Sequence, residues 1–181
     1  MRARHIAAAA AAALTLAALT APAAVSASAP AACSENDLTL RAEPSDTSDG
    51  VIKVSVRNDS GRACTVDVAP TVTYGDLDGA AQPRPATEAG SYELAAHASA
   101  YAAVRSLAAS SDSADRPEQP PTVPSLRVAA SPEQSGRGFQ AMTLGAPTGL
   151  PVWEPVTTPW EASAARAEQV VQDQTSGWFQ A

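Results

Sequence analysis

VIKVSVRNDSGRACTVDV, residues 51–68, is the stretch on which the fold turns. Ile52, Val54 and Val56 alternate with Lys53, Ser55 and Arg57, the two-residue period of a half-buried strand. After a polar interval, Cys64, Val66 and Val68 alternate with Ala63, Thr65 and Asp67. If Val56 stands opposite Cys64, Asp59-Ser60-Gly61 is a three-residue hairpin loop with Gly at the left-handed position. Both apolar rows then share one face, and a second layer must bury it. The expectation is a β-domain built outward from this pair.

The chain has 181 residues. Arg2, Arg4 and His5 precede an apolar run from Ala7 to Leu19, too short to span a bilayer, and Val25-Ser26-Ala27 supplies the small residues of a cleavage site. Residues 1–27 therefore read as a secretory signal peptide with Ser28 first in the mature chain. Cleavage after Ala29 would put Pro30 first and ranks second. A lipid on Cys33 is rejected, because Pro30 stands where a Leu-like residue is required. No later run has the length and apolarity of a membrane helix, so the expected location is extracellular or cell-wall associated, with no membrane contact after cleavage.

Without Arg2 and Arg4 the mature chain carries ten basic and nineteen acidic residues, a net charge of −9 with His neutral. Such a surface repels phosphate backbones and anionic headgroups, so nucleic acid is not an expected partner. Two cysteines in an exported chain pair most simply with each other. A Cys33–Cys64 bond would contribute about 3.7 kcal/mol by loop-closure entropy.

Further along, Leu38 with Leu40, Val72 with Tyr74, and Leu126 with Val128 mark short strands, and Ala141 to Leu144 a strand start. Tyr92 to Ala109 is ambiguous: Leu94, Ala98, Tyr101, Val104 and Leu107 recur at helical spacing, yet Tyr101, Ala103, Arg105 and Leu107 alternate. Ser110 to Pro124 is a Ser/Asp/Pro-rich loop. Pro151 to Trp160 reads as an edge strand interrupted by proline, and Glu161 to Gln174 as helix-competent.

Sites of chemistry are scarce. His97 is the one histidine after the signal peptide, no serine lies in a G-x-S-x-G elbow, and the residue reads as a surface histidine. Asp76-Leu77-Asp78-Gly79 lacks the third ligand of a calcium loop and reads as a turn. Asn58-Asp59-Ser60 matches the N-glycosylation pattern and also suits a turn. Glu154 and Glu161 have no fixed separation from which to argue a glycosidase pair. No phosphate-binding glycine loop occurs, and no metal, cofactor or catalytic residue is expected. The three tryptophans fall in the last 29 residues. Trp153 is expected to be buried in the core, whereas Trp160, Trp178 and Phe179 form a candidate partner-binding patch.

Cys33 before a short strand, an alternating strand into Asn58-Asp59-Ser60, then Cys64 and Pro70-Thr71-Val72 resemble a secreted actinobacterial family, domain-of-unknown-function family 4232, over about Ala32 to Val156. The Ala-rich export segment and the single lysine, Lys53, suit such a source. The resemblance implies an immunoglobulin-like two-sheet fold with no known activity, and it tilts Tyr92 to Ala109 towards strand. Relatives have a Leu-x-Pro-Gly turn where this chain has Leu94-Ala95-Ala96-His97, and many carry additional cysteines later in the domain.

The resulting expectation is an all-β, two-layer immunoglobulin-like sandwich over residues 28–158. It has one disulfide and a short, helix-competent C-terminal extension over 159–181 that is dispensable for folding. The expected role is a secreted, non-catalytic binding or structural module, with an unidentified protein or cell-wall partner. The alternative is an inhibitor of a secreted enzyme that presents the 110–124 loop. A secreted hydrolase ranks last.

Overall fold

The computed structural model describes residues 29–106 and 120–176. In chain order the first six strands are β1 (Leu38–Pro44), β2 (Val51–Asn58), β3 (Cys64–Asp67), β4 (Thr71–Tyr74), β5 (Gln82–Pro83) and β6 (Ser91–Leu94). Then come β7 (Ser99–Arg105), β8 (Thr122–Val123), β9 (Ser125–Ala129), β10 (Arg137–Gln140), β11 (Leu150–Pro151) and β12 (Val156–Thr157). One α-helix among the described residues, α1 (Ala164–Thr175), follows them. The regular structure of the described residues is thus mostly β-strands, in several sheets, with that helix at the C-terminal end.

The opening stretch forms two strands, as its alternation requires, but not a hairpin. β2 lies between β1 and β7 in a five-stranded sheet of order β1-β2-β7-β12-β5, while β3 pairs with β6 in a separate sheet. Val56 stands opposite Leu40 and Ala100, and Cys64 opposite Leu94. The segment between β2 and β3 is therefore a crossing from one sheet to another.

Asn58 supplies the reason. Its side chain is fully buried, and its amide nitrogen lies 2.7, 3.2 and 3.1 Å from the carbonyls of Arg62, Leu94 and Ala95. Its Oδ1 accepts from the Ser60 amide and hydroxyl at 3.0 and 2.7 Å. A buried side-chain amide that satisfies backbone groups from two segments fixes the path between them. The glycosylation pattern at Asn58 is consequently sealed inside the folded protein.

Two further sheets, β10-β9-β4 and β11-β8, complete the set. All four sheets contribute to one apolar cluster. Leu40, Ile52, Val54, Val56, Ala102 and Val104 come from the five-stranded sheet, and Val66, Leu94, Val72, Leu126, Val128, Val123 and Leu150 from the others. The Cys33–Cys64 disulfide is formed and belongs to this cluster. Tyr92 to Ala109 yields β6 and β7, joined by a turn in which exposed His97 has φ 60°; residues 107–109 lie outside the described set.

Three expectations are corrected. Ala141–Leu144 is a 3-10 turn, closed by Gly145 at φ 78°. Trp153 is only half-buried, because the chain bends at Trp153 and Glu154, with Glu154 at φ 41°. Val152 and Trp160 point into the core instead. Finally, the C-terminal segment is not an appendage. After β12 the chain continues along β7, with Tyr101 and Glu161 exchanging backbone hydrogen bonds of 2.8 and 2.7 Å.

Helix α1 begins at Ser163, whose side chain accepts from the Arg166 amide as an N-cap. Ala167 and Val171 then pack against Val51, Ala103 and Val156 on the face of the five-stranded sheet opposite Val54 and Val56. The sheet is thereby covered on both sides.

Candidate functional site

A cleft of about 480 Å³ opens where the loop between β1 and β2 meets the ends of β4 and β7 and the 144–151 segment. Ile52, Val104, Leu144 and Leu150 give it apolar walls. Its volume is within the range of small-molecule sites.

Hydrogen bonds hold two of its sides. The Ser45 hydroxyl donates to Glu168 of α1, which is itself buried, and the Gln172 side chain donates to the Ser48 hydroxyl. These contacts fasten the 45–50 loop to the helix. Across the cleft, the Ser106 hydroxyl donates to the Trp153 carbonyl at 3.1 Å and accepts from the Trp153 amide at 2.8 Å. The hydroxyl protons of Ser45 and Ser106 are therefore committed to structure, while Ser48 is held as an acceptor.

Tyr74 is the exception. Only 4% exposed, its ring packs in the main cluster while the residue lines the cleft. Its hydroxyl bonds to no described residue. Nor is it one of the buried side-chain polar atoms that lack both a partner and access, Gln134 Oε1 and Trp160 Nε1 among the described residues. Tyr74 thus lines the cleft with a hydroxyl that is neither bonded to a described residue nor fully sealed. Burial pushes it well above the ordinary tyrosine range, so it stays protonated and able to donate.

The residues singled out in the sequence do not converge here. Trp160 is 4% exposed in the core and offers no surface ring, while Trp178 and Phe179 lie outside the described residues. Of the 110–124 loop only 120–124 is described, and it includes β8, paired with β11. Asp76 and Asp78 are exposed, and no group of three His, Cys, Asp or Glu side chains among the described residues is placed to hold a metal ion. No helix among them is long and apolar enough to cross a membrane. Sequence reasoning missed Tyr74 as a site residue. Its place at an inward strand position before Gly75 was visible, but its neighbours across the cleft are distant in sequence.

No curated protein and no solved structure gives a match to the chain. The family model described as Domain of unknown function (DUF4232) matches residues 33–161. That span runs from the first half of the disulfide to Glu161, the residue that bridges to Tyr101. The chain therefore belongs to the Domain of unknown function (DUF4232) family.

Proposed function

We propose that this protein is an exported, non-catalytic binding module of the extracellular or cell-wall space, an immunoglobulin-like two-layer domain that holds its ligand in the cleft beside Tyr74. The N-terminal segment and the Cys33–Cys64 bond support export, and the lysine-poor composition supports an actinobacterial source. The observation that carries the binding role is the cleft itself. It is concave and largely apolar, with walls already pinned by Glu168, Gln172 and Ser106. A pre-formed site avoids the ordering cost that a mobile one incurs on binding.

The experiment is native mass spectrometry of the mature chain after incubation with small-molecule extracts of the source culture supernatant and wall fraction. Ala146→Trp, at a half-buried position of the lining, serves as the blocked control. The expected result is an adduct on the native protein that the blocked variant loses. Equal capture by both, or none by either, would overturn the assignment of the cleft.

A further inference from the structure

The chemistry of the cleft narrows what it can hold. No lysine or arginine lines it among the described residues, and the one charged lining residue, Asp49, is an exposed carboxylate. An anion would thus enter without a counter-charge and close to a like charge, at a considerable desolvation cost. A wholly apolar molecule would match the walls of Ile52, Val104, Leu144 and Leu150, yet it would leave the Tyr74 hydroxyl without a partner. An unpartnered hydroxyl sealed under a ligand loses more than a hydrogen bond contributes when made. The complement of these groups is an apolar body with one oxygen acceptor.

We infer that the cleft takes a neutral, largely apolar small molecule and recognises one carbonyl-type oxygen on it through a hydrogen bond donated by Tyr74. This rests on the reading of the cleft as a binding site and adds the class of ligand. Of the other lining hydroxyls, Ser45 is spent on Glu168 and Ser106 is closed on Trp153, while half-buried Ser48 accepts from Gln172 and keeps its own proton, so Tyr74→Phe is the variant that separates the two donors. Tyr74 is held in place by its strand, with its backbone paired to Leu126 and its ring in the core, so the donor is oriented before binding.

The test compares three probes of one shape on the full mature chain by amide NMR titration, following Gly50, Val51, Ser106 and Gly145 around the cleft. Benzophenone carries the acceptor, diphenylmethane is the same body without it, and benzophenone-4-carboxylate adds an anion. Benzophenone should bind roughly 3- to 10-fold more tightly than diphenylmethane, the span of one hydrogen bond to a neutral partner. In Tyr74→Phe, which keeps the ring and hence the packing, that ratio should fall to about one or below, with diphenylmethane bound more tightly because no hydroxyl is left unpartnered beneath it. The carboxylate should bind more weakly than benzophenone to either protein.

The failures are distinguishable. If none of the probes shifts the cleft amides, the binding-site reading itself falls. If benzophenone and diphenylmethane bind equally, or if their ratio survives in Tyr74→Phe, the site stands and the role of the hydroxyl is refuted. Tighter binding of the carboxylate would overturn the neutral class.

Discussion

Replacing Asn58 by alanine should cost far more than its position in an apparent turn suggests. The amide nitrogen has two hydrogens to share among three carbonyls, and Oδ1 accepts twice from Ser60. Alanine removes this set, of which the bond to the Leu94 carbonyl is buried. Taking about 1 kcal/mol for each of the two donated bonds and about 0.5–1 kcal/mol for each bond accepted from Ser60 gives about 3–4 kcal/mol. The assay is urea unfolding of the mature protein with the disulfide intact. At a slope of about 1.5–2 kcal/mol/M, the midpoint should fall by roughly 2 M with the slope unchanged. Asn58→Asp should be worse than alanine, because it sets acceptors against carbonyls. Exposed Arg57→Ala, next in the chain, should stay within about 0.5 kcal/mol of the native protein. An alanine variant within that same margin would refute the idea that this side chain joins the sheets.

Three further outcomes are expected. Val171 is fully buried against Val51 and Ala103, so Val171→Ala removes two methyl groups and should cost about 2 kcal/mol in the same assay; a chain ended at Thr158 loses Trp160, the Tyr101–Glu161 pairing and the whole helix, and should not keep its thermal midpoint within a few degrees by circular dichroism. Tyr74 holds its proton in the folded state beyond the pH at which an unfolded tyrosine, near 10, releases it. Its contribution is full below about pH 10 and is lost as pH rises towards the folded value, so Tyr74→Phe should flatten the alkaline decline in stability by about 1.4 kcal/mol per pH unit. Parallel declines from pH 9 to 11 in the two proteins would sink that reasoning.

Alternation in residues 51–68 was legible because it depends on the chain alone: Val54, Val56 and Val66 share a buried cluster as their spacing requires. Pairing was not. Alternation states which side chains share a face and is silent about which strand lies alongside, and the hairpin reading failed because Asn58 makes its decisive bonds to residues 36 and 37 positions away. Trp153 and Trp160 were misread for a related reason. Trp153 sits among prolines where the bend at Glu154 ends the period, whereas Trp160 lies on the extension that runs beside β7. Helix α1 looked too poor in large residues to join a core, yet it rests on Ala103 and Val51. A face of alanine and valine suffices where the surface it meets is also small.

The cleft was less legible still, since its walls come from the 44–52, 104–106 and 144–151 regions and from Tyr74, and only the finished topology brings these together. One loop accounts for much of its character. Residues 45–50 form a wall of the cleft and also the strip to which Glu168 and Gln172 attach the helix. Fastening that loop uses the Ser45 proton and a lone pair of Ser48, as holding the 152–154 bend uses the Ser106 hydroxyl. The polarity that the sequence displays around the cleft is therefore mostly spent inside the protein. What remains for a ligand is the group that looked most like core, a tyrosine on an inward strand position with its ring buried and its hydroxyl unclaimed.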